Sequence, residues 1–333
     1  MKQIIELNRL QDQVNQLIRE QNMTLEQINT IDANIRFTKQ QTNELCLNEF
    51  TLPPLTIDGY CITIKKRTSR VNIMLPLPAS HRLFQGENTY YSIAANDNYI
   101  LVGEQSKLRL FDQQLNIQND IIWNHGRLND ICWSSTLARF FLITPEEIFT
   151  FDDKTLVIQQ CQITRSSTNT DFWYCGTCFE DTLFLSTWNF ASSVFKYSLK
   201  PSIQCINQYQ PPVSCKENES IKSLASNHQA LALMIVNTHS QIHFDLCSFT
   251  TLERFRIIQL GSISNCLRIR CCSLNSNQWV VINPNNSAIL QISENEIRIA
   301  EEIRSSKPWD AILLNNDALV ILLEKDIHLH SLL

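Results

Sequence analysis

Cys175-Gly-Thr-Cys178 has the spacing of a redox dithiol or of half a zinc site. A redox pair of this kind opens a helix behind a strand, because the helix N-terminus lowers the thiol pKa. Here the pair lies in "FWYCGTCF", an aromatic strand-like run with no helix following. A structural zinc needs a second spaced pair, and Cys271 and Cys272 are adjacent. His328 and His330 alternate along one strand and face one side. Two imidazoles without a carboxylate or third ligand make a poor metal site. Acids near strand ends, such as Glu146, Asp181 and Glu324, do not recur in register and suit a solvated rim. With 6 glycines there is no phosphate-cradling loop, and no G-x-S-x-G elbow occurs. The expectation is a protein with no catalytic residue, no metal and no cofactor.

A chain of 333 residues can bury a large core as one or two domains. Its 44% apolar and 18% charged residues describe a globular protein rather than a disordered one. The net charge of −5 argues against nucleic acid and against an anionic membrane surface. The longest apolar run, "ALALMIV", falls far short of the roughly 18 residues that span a bilayer. The start "MKQIIELNRLQDQ" mixes charge and amide and lacks the form of a secretory signal. The 12 cysteines lie mostly inside strand-like runs, as small buried hydrophobes. A reducing, cytoplasmic setting follows, in which the sequons at Asn22, Asn218 and Asn285 carry little weight.

What elements hold these residues? From Met1 to about Asn48 there is no Gly or Pro, and Pro53-Pro54 stops any helix. A heptad register places Ile4, Leu7, Val14, Ile18, Leu25, Ile28 and Ile35 on one seam, widened by Leu10, Leu17 and Ile31. A continuous helix here is about 70 Å long and has nothing of its own to cover the stripe. Gln11, Gln21 and Asp32 interrupt the seam, which suits a register-setting coiled coil better than a dry groove. Residues 1–50 are therefore expected to be a coiled-coil helix that makes a homo-oligomer, with a helix packed on the following domain as the alternative. No cap precedes Met1, so the chain is expected to be the tail of a longer ancestral protein.

After a linker at 51–69 the chain repeats itself. Alternating runs end at Phe111, Phe151, Tyr197, Phe244, Ile292 and His330, spaced 40, 46, 47, 48 and 38 residues apart. Before each lies a strongly apolar run ("YILVGE", "RFFLITP", "TLFLSTW", "ALALMIV", "QWVVINP", "ALVILLE"), and before that a polar turn. Shorter runs such as "YYSIAA" and "NDICW" precede the turns, and more polar ones such as "NIQNDIIW" follow the aromatic. Four short strands recurring at 40–50 residues are the mark of a propeller blade. The fold class is thus all-β, a six-bladed β-propeller over residues 70–333 behind an N-terminal α-helix. The sixth unit ends one strand short at Leu333. The segment "RVNIMLPLP", Arg70–Pro78, is expected to supply that strand and close the ring.

"LRLFD" and "FTFDD" resemble the third strand of NHL-type and WD40-type repeats, which ends in an aromatic followed by Asp. The chain departs from both families. Its one Trp-Asp pair, Trp309-Asp310, falls in a first strand, no Gly-His pair occurs, and the Gly that NHL repeats place after the Asp is missing. Asn, Asp and Ser must make the turns instead. The layout is similar to the C-terminal half of tripartite-motif NHL proteins. Their RING and B-box modules have no counterpart here, so ligase activity does not carry over.

In a propeller the fourth-to-first and second-to-third loops open onto one face, the usual recognition surface. The longest such loop is expected to be "QYQPPVSCKENES", Gln208–Ser220. His125, Arg127, Arg165, Trp188, Phe190, Tyr209, Lys216 and His239 are the expected partner-binding residues, since Trp, Tyr and Arg dominate interface energy. The expected function is a non-catalytic scaffold, dimerised by its helix, that binds a protein or peptide on this face. Two alternatives stand beside it. One is an RNA-binding NHL-type ring using "KKRTSR" (Lys65–Arg70), and the other is a propeller hydrolase.

Overall fold

The computed structural model describes residues 55–57, 60–62, 80–83, 92–163, 172–262, 268–275, 277–293, 297–302, 306–315, 317–324 and 326–332. The chain divides into two units, Met1–Arg70 and Val71–Leu333. In the first, β1 (Leu55–Ile57) and β2 (Tyr60–Ile62) pair antiparallel, with Leu55 opposite Ile62. The expected coiled coil, Ile4 to Ile35, lies outside the described residues, as does Arg165.

The second unit opens with β3 (Ser80–Leu83), whose partner comes last. Blade one is β4 (Ser92–Ala95), β5 (Tyr99–Gly103), β6 (Lys107–Asp112) and β7 (Ile117–Ile122). Blade two is β8 (Asp130–Ser134), β9 (Arg139–Ile143), β10 (Ile148–Phe151) and β11 (Ile158–Gln160). Blade three is β12 (Trp173–Phe179), β13 (Thr182–Thr187), β14 (Val194–Ser198) and β15 (Gln204–Tyr209). Blade four is β16 (Glu219–Ser226), β17 (Leu231–Asn237), β18 (Gln241–Cys247) and β19 (Arg254–Ser262). Blade five is β20 (Arg270–Asn275), β21 (Gln278–Asn283), β22 (Ala288–Ser293) and β23 (Ile297–Glu302). Blade six is β24 (Pro308–Leu314), β25 (Ala318–Leu323) and β26 (Asp326–Ser331), completed by β3. First strands touch in the order β4, β8, β12, β16, β20, β24 and back to β4, so the ring is closed. The all-β, six-bladed propeller expected from the repeat is the fold observed.

The closing strand is not the one expected. Asp326 pairs with Leu83 and Leu329 with Ser80, so "SHRL" completes blade six, whereas 70–78 lie outside the described residues. The physical reason shows in the other fourth strands. Most of β15 is exposed, as are Gln159 and Gln160 of β11. The outermost strands face water, and their side chains are set less by packing than by their one backbone edge, so the sequence pattern marks the closing strand poorly.

The second strands are buried on both faces, and alternate residues serve opposite neighbours. In β9, Phe140 and Leu142 fill the gap to blade one, while Phe141 and Ile143 fill the gap to blade three. Six apolar clusters of this kind, one between each pair of consecutive blades, make up the core. The aromatic-Asp ending now has a cause. Phe111 and Phe151 are fully buried in these gaps. Asp112 Oδ1 accepts from the N–H groups of Gln114 and Asn116 at 2.9 and 2.8 Å, and Asp152 Oδ1 from Lys154 and Thr155 at 2.9 and 3.2 Å. Each turn then returns an inward leucine with positive φ, Leu115 at 64° and Leu156 at 59°. The aromatic fills the core and the Asp pins the turn behind it.

Candidate functional site

The fourth-to-first and second-to-third loops share one face of the ring, and most of the expected partner-binding residues are on it. His125 and Arg127 are exposed in the β7–β8 loop, and the His125 ring lies 4.4 Å from that of Phe149. His239 is exposed in the β17–β18 turn, and Lys216 is exposed in the β15–β16 loop. Phe190, in the β13–β14 turn, is 52% exposed. Trp188 is half-buried: its ring meets Tyr174 edge-on at 4.3 Å, and Lys222 Nζ sits 4.4 Å over it. Tyr209 is not a surface residue. It is buried between blades three and four, where its hydroxyl donates to the Thr250 carbonyl at 2.5 Å.

Sequence reasoning missed two neighbours of Phe190. Phe172 is 44% exposed and Val213 50%. Three bonds draw their segments together. The Trp188 N–H donates to the Phe172 carbonyl at 2.9 Å, Ser214 Oγ to the Ser192 carbonyl at 2.6 Å, and Ser220 Oγ to the Trp188 carbonyl at 2.9 Å. Phe172, Phe190 and Val213 are thus exposed apolar residues on loop segments of this face that these bonds tie together, at blade three and its junction with blade four. His125 and Arg127 belong to the blade one–two junction, away from it. The missed signal was an apolar residue beside polar or proline loop residues, in "DFW" and "PPV".

A buried brace fixes the loop that carries Val213. Glu219 Oε2 accepts from the Lys216 N–H at 2.8 Å. The Arg254 guanidinium contacts Glu219 at 3.5 Å and Asp245 at 3.1 Å, and donates to the Ser214 carbonyl at 3.2 Å. His243 lies between the same acids, 2.7 Å from Asp245 and 3.3 Å from Glu219. Burial works against the Glu219 charge, but the Lys216 N–H and the cations around it hold its carboxyl below the usual range.

A second site lies on the axis, where the six first strands line a cavity of about 460 Å³. One end is plugged by charge. Arg270 Nη1 contacts Asp130 Oδ2 at 3.1 Å, and its Nε lies 3.9 Å from Asp310. Arg268 and Arg270 both donate to the Asn129 carbonyl, at 3.1 and 2.6 Å. Asp130 also accepts from Ser92 Oγ at 2.9 Å and the Gly176 N–H at 3.1 Å. Burial pulls the Arg270 pKa down, but Asp130 and then Asp310 more than reverse this and hold it above the usual range. Burial, with repulsion from Arg270, lowers Arg268 to about 10. Burial raises Asp310 to about 7, only partly opposed by Arg270. Ser92, Asp130, Arg270 and Asp310 all stand within the first three residues of the first strand of their blade. That recurrence was the available signal.

The cysteine motif is strand, as expected, but its two thiols part company. Cys175 turns into the gap between blades three and four and bonds Ser186 at 2.9 Å, and burial raises its pKa to about 12. Cys178 lies against Cys132 of blade two, with the sulfurs 3.8 Å apart. Cys271 and Cys272 face opposite gaps. His328 and His330 have ring centroids 5.9 Å apart on β26, and His330 is buried.

No family model matches this chain, and no curated protein matches it. Solved structures do. It is similar to the structure described as RRP9 WD40 repeats, with TM-score 0.56 and 9% identity, covering 78% of this chain and 100% of that one. A chain of the mitotic checkpoint complex gives 0.55 at 8% identity, covering 86% and 98%. Streptogramin B lyase gives 0.51 at 13% identity, covering 76% and 97%. At such identities the likeness is one of fold. This chain carries a six-bladed β-propeller with WD40-like and NHL-like structural neighbours.

Proposed function

We propose that this chain is a non-catalytic scaffold that binds a protein or peptide on the face bearing Phe172, Phe190 and Val213. The carrying observation is three large apolar side chains, each about half exposed, on loop segments of one face whose backbones are tied to one another. A rigid platform for apolar anchors loses little entropy when a ligand seats on it. The WD40 repeats and the checkpoint-complex chain among its structural neighbours agree with a binding role, since the latter belongs to an assembly by its own description. The heptad seam from Ile4 to Ile35 supports pairing of two chains, and the layout of helix followed by ring supports an NHL-type comparison. Nine described cysteines are free thiols, which favours a cytoplasmic setting.

The test is a random-peptide library panned on the immobilised full chain. Recovered peptides should carry aromatic or aliphatic anchors. The variant Phe172→Ser, Phe190→Ser, Val213→Ser should weaken them by about tenfold or more. Its unfolding midpoint should stay unchanged, because these side chains are outside the core. Peptides that bind the variant as tightly as the parent would sink the assignment of this face.

A further inference from the structure

We propose that Cys132 and Cys178 are a modification site, joined by a hydroperoxide into a disulfide that staples blade two to blade three. The two sulfurs are 3.8 Å apart and need to close to about 2 Å. Both thiols line the axial cavity, which ends among the exposed first-turn residues Ser135 and Glu180, so a small oxidant can reach them. Cys178 is the more open of the two, half-buried against buried Cys132. The hydrogen bond between the two sulfurs, and then burial, raise the Cys132 pKa, and Cys178, the more open of the two, is the sulfur that meets the oxidant first. The strands that carry them, β8 and β12, belong to different sheets and share no backbone ladder. Across this seam run single bonds, such as Gly176 N–H to Asp130 and Thr136 Oγ1 to the Glu180 carbonyl at 2.7 Å.

The chemistry balances with one oxidant. The Cys178 thiolate attacks a peroxide oxygen, the O–O bond breaks, and the first water leaves once its proton is returned. The resulting sulfenic acid is attacked by the Cys132 sulfur. The S–O bond then breaks and, as Cys132 gives up its proton, a second water leaves. Two thiols and one hydrogen peroxide become one disulfide and two waters, the thiols losing two electrons and the peroxide gaining them.

The experiment treats the purified, folded full chain with hydrogen peroxide, quenches it with an alkylating agent, and maps thiols by peptide mass spectrometry. Exposed Cys205 serves as the internal standard for an unassisted thiol. A Cys132–Cys178 linked peptide, lighter by two hydrogens than the separate pair, should form before Cys205 is modified, and dithiothreitol should reverse it. The closed loop should raise the unfolding midpoint by roughly 5 °C. Neither Cys132→Ser nor Cys178→Ser should show that rise. Oxidation of Cys205 with Cys132 and Cys178 still reduced overturns the proposal, and so does a Cys175–Cys178 link. Because the mapping is done on the unmodified sequence, it decides the matter even if a variant folds poorly.

Discussion

Asp310 is a carboxyl placed where a charge is hardest to keep. It lies on a first strand, buried at the plugged end of the axial cavity, and its neighbour Arg270, 3.9 Å away, already serves Asp130. In the unfolded chain it ionises near 3.8, whereas in the fold it keeps its proton up to about 7. Its contribution to stability is therefore full below about 4 and is lost as pH rises through about 7. Asp310→Asn removes that titration. Urea unfolding across this window should show the variant gaining on the parent as pH rises, and a constant difference would mean that Asp310 is charged throughout. Glu219 acts in the opposite sense, since its lowered pKa adds stability that is lost in acid. Little of this was legible in the sequence. Asp130, Arg270 and Asp310 are far apart along the chain, and their pairing depends on the ring bringing first strands together. Cys178 likewise reads as the partner of Cys175 three residues away, whereas strand geometry gives it to Cys132.

At the scale of elements the sequence was far more explicit. Buried second strands must be apolar on both faces, and third strands must fill a gap and then turn, so both leave a periodic mark. Every one of the six alternating runs became a third strand, and every strongly apolar run before it a second strand. The closing strand was harder, because a fourth strand needs only backbone groups on one edge and polarity on the other. "SHRL" has no pattern to separate it from a loop. A truncation series checks this. Deletion of residues 1–79 should leave a folded ring, because β3 and its pairing with β26 remain. Deletion of residues 1–84 should expose the edge of β26 and lead to aggregation. Circular dichroism and size-exclusion chromatography distinguish the two, and loss of folding already in the shorter deletion would show that 70–79 also hold the ring.

For the whole molecule, the proposal of paired chains is checked apart from the ring. Replacing Leu25 and Ile28 with Asp puts two charges in the apolar part of the seam, at a cost of several kcal/mol. Light scattering at micromolar concentration should give a dimer for the parent and a monomer for the variant, with the unfolding of the ring unchanged. A parent that is already monomeric removes the dimer. The ring has a further property set by its latch. Among the described residues all ladder bonds run within blades, so the blades hold one another by packed side chains and single bonds such as Ala191 N–H to the Glu219 carbonyl, and blade six alone is completed by a strand from a distant part of the chain, four residues long. Blade four, by contrast, is completed by a fourth strand of nine. In deuterated solvent the two should part in time: amides of β26 exchange first, through brief openings at the latch, and those of β17 last. A closed circle of this kind keeps its own order of unravelling, and that order starts where β3 meets β26.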